Sequence, residues 1–326
     1  LVAKAHASEA DPKSALYGKC IRALAPDEHR WLPRDAARKE LKQLCGALAS
    51  ALRVGGPEVR CVAAEGLRQL QRQHPAKMRA AVGSWFAAAV DAALRDGDEA
   101  RTILVSVIEA QPPAGVKPAL CEEVLATLFG ASAAPTEAGA VLVATPGAAP
   151  CVDAEVLRLW GAIVGAVGPA LVRGHKERLN ALLLLPSGAF AATAPSVRAA
   201  TFRAWQRLAA AWASALTAPG FDAGTADRRI SLLLTPLKEL DWGTTDAEAA
   251  ATHEAAADCA CTLVRMLGAA DLDRASRQAA DEEKETPIMK LACALVGHHN
   301  RYVRLRALRA VAQMAGARPA SLGEWL

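Results

Sequence analysis

Little in this sequence is made for catalysis, for a sheet or for a membrane. Aromatic residues supply only 4 % of its 326 positions, with two tyrosines and five phenylalanines. Runs of β-branched and aromatic residues, the raw material of strands, are scarce. Val141-Leu142-Val143 and Leu182-Leu183-Leu184-Leu185 are too short to force a sheet, and the second reads as a helix end stopped by Pro186. No Gly-x-Gly-x-x-Gly, Walker loop, His-Glu-x-x-His or Gly-x-Ser-x-Gly occurs, so phosphate-cradling, zinc-protease and serine-hydrolase chemistry find no motif. No apolar run approaches the ~18–20 residues needed to cross a bilayer, and no membrane partner is expected. The start, Leu1-Val2-Ala3-Lys4, has neither a signal-peptide core nor an initiator methionine, as in a fragment. Charge of one sign is also missing: 38 basic against 34 acidic residues leave +4, too mild to demand or exclude nucleic acid.

The eight cysteines, at 20, 45, 61, 121, 151, 259, 261 and 293, contain no C-x-x-C pair. Most lie among alanine and leucine, so Cys45, Cys61 and Cys293 read as small buried hydrophobes, a usage that fits a reducing compartment. His298 and His299 have no nearby cysteine or carboxylate pair and read as part of a capping turn before Asn300. Asp153, Glu155, Asp222 and Asp227 stand at helix starts, where carboxylates cap free N–H groups. No catalytic residue, metal ligand or cofactor is expected.

What is present is alanine and helical periodicity. Hydrophobic residues reach 52 %, and alanine both favours helix and lets helices approach closely. Three stretches share one pattern: Pro57-Glu58-Val59-Arg60-Cys61-Val62, Pro195-Ser196-Val197-Arg198-Ala199-Ala200 and Asn300-Arg301-Tyr302-Val303-Arg304-Leu305. A turn former precedes an apolar residue, an arginine and then apolar positions at helical spacing. A weaker copy starts at Asp98-Glu99-Ala100-Arg101. This is how the second helix of a HEAT-type hairpin begins, and the step from Arg60 to Arg101 matches one repeat of ~40–47 residues. The arginine is expected on the outer edge of its helix.

The expected fold is therefore all-α, an irregular HEAT/armadillo-like α-solenoid of stacked antiparallel hairpins. Helical patterns run over 36–53, 57–73, 76–95, 100–110 and 117–129, then 152–171, 176–185, 196–216, 227–240, 248–267, 287–297 and 300–315. Residues 1–129 form a first set of repeats and 152–326 a second. Residues 130–151, rich in Ala, Pro, Thr and Gly, form a low-complexity linker. Asp281-Glu282-Glu283-Lys284-Glu285 reads as a solvated face or loop. Trp160, Phe202, Trp205 and Trp212 recur at helical spacing and read as core between hairpins.

The second half also carries an ordered set of motifs. Val156-Leu157-Arg158-Leu159-Trp160 opens one helix and Thr201-Phe202-Arg203-Ala204-Trp205 lies in another. Arg228-Arg229-Ile230-Ser231-Leu232-Leu233-Leu234-Thr235-Pro236-Leu237 follows. This set resembles the N-terminal helical-repeat domain of the Rap-interacting factor family, telomere-associated and replication-timing proteins. The resemblance is clearest over 156–240 and weaker over 58–129. It implies a nuclear, non-catalytic scaffold on chromosomes and telomeres, acting in replication timing, DNA repair and the cell cycle by binding DNA or chromatin proteins. A type-one protein phosphatase would be recruited through regions outside this chain, since no basic-Val-x-Phe motif occurs here.

Basic clusters are the candidate contacts: Arg203, Arg207, Arg228 and Arg229; Arg173 with His175 and Lys176; and Arg301 and Arg304, with Arg306 sharing a face with Arg309. Arginine rather than lysine suits forked contacts with phosphate. The same residues also fit the ordinary solvent rows of repeat helices. A cytosolic HEAT adaptor that binds protein cargo without nucleic acid is the alternative.

Overall fold

The computed structural model describes residues 38–95, 99–110, 118–129, 134–143, 152–174, 176–217, 221–242, 247–278 and 287–317. Among them the chain is helix and turn without a strand. Thirteen α-helices follow in order within these residues. They are α1 (Arg38–Val54), α2 (Pro57–Gln73), α3 (Pro75–Ala80), α4 (Phe86–Arg95), α5 (Glu99–Glu109) and α6 (Pro118–Phe129). Then come α7 (Ala154–Gly174), α8 (Lys176–Phe190), α9 (Pro195–Leu216), α10 (Ala223–Glu239), α11 (Ala247–Gln278), α12 (Pro287–Val296) and α13 (Arg301–Ala317). Neighbours joined by short turns pack as hairpins, the all-α solenoid arrangement expected.

The chain divides into two compact units. One holds residues 1–146 with 165–171 and 175–182; the other holds 147–164, 172–174 and 183–326, so the turns of α7 and α8 are shared out between them.

In the first unit α1 packs on α2 and α4 on α5, while α1 meets α4 and α2 meets α5. Leu41, Leu48, Leu52, Leu67, Leu70 and Phe86 are sealed between these layers. The single helix expected over 76–95 is in fact broken. A 3₁₀ turn, Val82–Ser84, separates α3 from α4. Ser84 Oγ donates to the Ala81 carbonyl at 2.6 Å, offering the backbone a partner outside the helical ladder. Trp85 swings into the core, its Nε1 donating to Met78 O at 3.4 Å.

Within 130–151, the residues described, 134–143, are anchored to the end of α6. Thr136 Oγ1 donates to Thr127 O at 2.6 Å, and Thr136 N donates to Leu128 O at 2.8 Å, closing the C-terminal carbonyls of α6. Leu142 is buried, and a Cβ on Gly139 would stand only 2.0 Å from Leu128 O, so the turn fits because no side chain is there.

In the second unit α9, α11 and α13 lie side by side, with α10 and α12 leading into α11 and α13. Trp160 stacks on Trp205 with ring centroids 6.5 Å apart, and Trp205 Nε1 donates to Leu233 O at 3.0 Å. Trp160, Phe202, Trp205 and Trp212 are all core, as their spacing predicts. The expected stop at Pro186 is not obeyed, since α8 continues to Phe190. Phe190 is held by Phe202 and Trp205, at 5.0 and 5.4 Å, and those ring contacts outweigh the hydrogen bond that proline cannot make.

Three further expectations need correction. The stretch Ala154–Val172 is long and apolar enough to cross a membrane by length and composition, and 78 % of it is buried inside the protein. Cys293 is exposed and Cys61 half-exposed, whereas Cys45 is buried as expected. Helix α11 extends to Gln278, well past 267. The acidic run 281–285 lies outside the described residues.

Candidate functional site

The repeated arginines decide which basic residues are available to a ligand. They do more than edge their helices. Arg60 donates to Gly55 O at 2.7 Å, Arg101 to Ala93 O at 3.0 Å, and Arg304 to His298 O and His299 O at 2.7 and 2.6 Å. In each case a guanidinium reaches back to a carbonyl at the end of the preceding helix or in the turn, where no ladder donor is left. Arg304, a candidate contact on sequence, is thus engaged in closing its own hairpin.

The other candidates separate in the same way. Arg229 lies over the Trp212 ring, 5.4 Å from its centroid, and burial, with Arg228 beside it, holds its pKa below the usual value. Arg228 is exposed and donates to Thr225 Oγ1 at 3.1 Å. Arg207 is half-buried, its stem passing over Gly161. Arg203 on α9 and Arg301 on α13 are exposed. The side chains of Arg173 and Lys176, and all of His175, lie outside the described residues.

A pocket of about 340 Å³ opens where α9, α11 and α13 meet, lined by Gln206, Asp258, Thr262, Arg265, Arg306 and Arg309. Helical geometry assembles it: 258, 262 and 265 follow one face of α11, and 306 and 309 one face of α13. Gln206 Nε2 donates to Thr262 Oγ1 at 2.8 Å, and Thr262 Oγ1 donates to Asp258 O at 2.9 Å. Arg306 forms an ion pair with the Asp258 carboxylate and lies over the Tyr302 ring at 4.5 Å. One polar chain therefore ties three helices together. Burial pushes the Asp258 carboxyl up, and Arg306 pulls against that push.

The balance of charge at this pocket is positive. Asp258 answers Arg306, whereas Arg265 and Arg309 are exposed and have no ionic partner among the described residues. Arg203 stands one turn before Gln206 and acts electrostatically on Asp258. Spacing had paired Arg306 with Arg309. Arg265 carried no such signal, because it stands alone among apolar residues of α11 and only the packing of α11 on α13 brings it to the rim.

A second basic hollow lies in the first unit. Lys39 and Lys42 of α1 and Arg79 of α3 surround a cleft of about 920 Å³ floored by residues 80–84. Glu123, also on its rim, is paired with Arg53 at 3.1 Å. Some forty residues separate the lysines from Arg79, so sequence spacing could not have joined them.

Burial pushes the thiols of Cys45, Cys121 and Cys261 up to about 12, 11 and 11, and Cys259 is also raised, so all four stay protonated at neutral pH. No group of three or more His, Cys, Asp or Glu residues able to hold a metal occurs among the described residues. His298 is fully used in a turn: Asn300 N donates to its Nδ1 at 3.0 Å while its Nε2 lies 3.2 Å from Trp242 O.

Stacked hairpins with basic hollows define a helical-repeat protein. Residues 33–267 match the family model described as Rap1-interacting factor 1 N terminal, and the chain belongs to that family. The match ends within α11, so α12 and α13 lie beyond it. No curated protein matches the sequence.

Proposed function

We propose that this chain is a non-catalytic, chromosome-associated scaffold that holds duplex phosphates on the basic edge of α9, α11 and α13. Family membership supports a place in the nucleus, on chromosomes and telomeres, and a role in replication timing and DNA repair. The observation that carries the phosphate reading is the pair Arg265 and Arg309 lining a pocket whose only carboxylate lining residue, Asp258, is already paired, with Arg203 exposed one turn from Gln206 of the same pocket. Exposed guanidinium groups there suit phosphate oxygens, and without a groove-entering element they position the duplex and read no bases. Chromatin proteins are further partners in this reading, and phosphatase recruitment falls to regions outside this chain.

The test is duplex binding followed by fluorescence anisotropy across a salt series. The wild-type chain is expected to bind at low salt and weaken steeply towards physiological salt. The double variant Arg265→Glu, Arg309→Glu should bind at least about tenfold more weakly and flatten the log–log salt slope by about 2, one for each phosphate no longer neutralised. Charge reversal at Arg203, Arg207, Arg228 and Arg229 tests the remaining candidates. Absence of binding at low salt, with exclusion from the nucleus, would establish the cytosolic adaptor instead.

A further inference from the structure

Three arginines line the pocket between α9, α11 and α13, and one of them has its charge already answered. Arg306 forms an ion pair with the Asp258 carboxylate, while Arg265 and Arg309 have no ionic partner among the described residues. The pair is not sealed in the core: the Arg306 side chain is 41 % exposed and that of Asp258 27 %. Dissolved anions therefore reach both groups, and the contact is one that a competing ligand can exchange. Phosphate oxygens bind a guanidinium in the same forked geometry as a carboxylate, so the two compete for Arg306. A phosphate in the pocket would be drawn by Arg265 and Arg309 as well, and its charge would repel Asp258.

What Asp258 does for the fold and what it does for charge fall on different atoms. The polar chain that ties the three helices runs through its backbone carbonyl, to which Thr262 Oγ1 donates at 2.9 Å and Gln206 Nε2 at 3.3 Å. The carboxylate is no part of that chain. Nor is it needed to aim Arg306, because the guanidinium lies over the Tyr302 ring, 4.5 Å from its centroid. Tyr302 stands one turn before Arg306 on α13, so that contact is fixed within a single helix. What is left to the carboxylate is the part of a counter-charge inside a basic pocket.

We infer that Arg306 is a third phosphate-binding residue of this pocket and that the Asp258 carboxylate holds it back, yielding it to a phosphate that takes the carboxylate's place. The inference rests on the phosphate reading and deepens it: Asp258 sets how strongly the pocket grips its ligand, and Arg306 joins Arg265 and Arg309 only once the ligand is in place.

The experiment compares duplex binding by the full chain, its Asp258→Asn and Glu254→Gln variants, and the double variant Asp258→Asn, Arg306→Gln, by fluorescence anisotropy across a salt series. Asparagine matches aspartate in shape and keeps the backbone carbonyl bonds, so the circular dichroism spectrum should not change. Asp258→Asn is expected to bind at least threefold more tightly at low salt and to steepen the log–log salt slope by about 1. Adding Arg306→Gln should remove that gain. Glu254 is exposed one turn before Asp258 on α11 and acts electrostatically on it, so Glu254→Gln removes the same charge close by without freeing Arg306. It should give less than half the gain. Unchanged or weaker binding by Asp258→Asn overturns the inference and makes the carboxylate a positioning group for Arg306. Equal gains from Asp258→Asn and Glu254→Gln also overturn it, since charge in general would then be responsible. A wild-type chain that binds no duplex at low salt would remove the duplex reading, and inorganic pyrophosphate in isothermal titration then decides the inference separately. Pyrophosphate should bind Asp258→Asn at least threefold more tightly than the wild type, and equal binding, or none, overturns the inference too.

Discussion

Arg60, Arg101 and Arg304 show how one residue type does two jobs in a repeat protein. Each spends its charge on carbonyls left over at a helix end, where a cation also meets the negative pole of the helix dipole. Arg198, the fourth of the series, buries its Nε with no acceptor among the described residues. A charge-reversal experiment that included Arg304 would therefore damage a hairpin as well as a surface. The neighbouring imidazole makes that hairpin sensitive to acid. Burial, with the charges of His299, His253 and Arg304 nearby, holds the His298 pKa below its ordinary 6.5. Its Nδ1 must stay unprotonated to accept from Asn300. The folded protein thus binds fewer protons at this position than the unfolded chain, so the contribution is complete above about pH 6.5 and is lost as pH falls through the lower folded value. Thermal unfolding from pH 8 to 5 should show a stability decline beginning near 6.5, and His298→Gln should flatten it.

At the scale of helices, punctuation was legible and packing was not. Pro57 and Pro195 open their helices where the sequence put them, Asp153 and Asp222 cap α7 and α10 through Val156 N and Thr225 N, and Asn300 caps α13. These signals are local and need only adjacent residues. The break at Val82–Ser84 and the run through Pro186 depend on what Trp85 and Phe190 pack against, which no local pattern records. The site divides along the same line. Arg306 and Arg309 share a helix face and could be paired in advance, while Arg265 and the Lys39–Arg79 hollow required interhelical register. Helix α7 shows how tight that register is. A Cβ on Gly161 would meet Ala204 Cα of α9 at 2.8 Å, a backbone atom that cannot step aside alone. Gly161→Val should cost about 1–3 kcal/mol in urea unfolding, since the two helices must part to admit it. Gly161→Ala should fall between that variant and the wild type.

For the whole molecule, the division into two units crosses the order of the chain. Residues 165–171 and 175–182 belong to the compact unit built by residues up to 146, although some twenty residues separate them from it in sequence. Arg178, from the later segment, lies 3.8 Å from Glu122 of α6. The low-complexity stretch 130–151 suggests a place to divide the protein; the main break between the units, after 146, falls within it, while 165–171 and 175–182 return to the first unit. A fragment ending at 150 is expected to melt below the full chain and over a wider temperature range, as followed by circular dichroism, whereas one ending at 190 should recover a sharp transition. A protease that treated the seam at 150 as a clean joint would leave the first unit without 165–171 and 175–182, the part of its lining that arrives late in the chain.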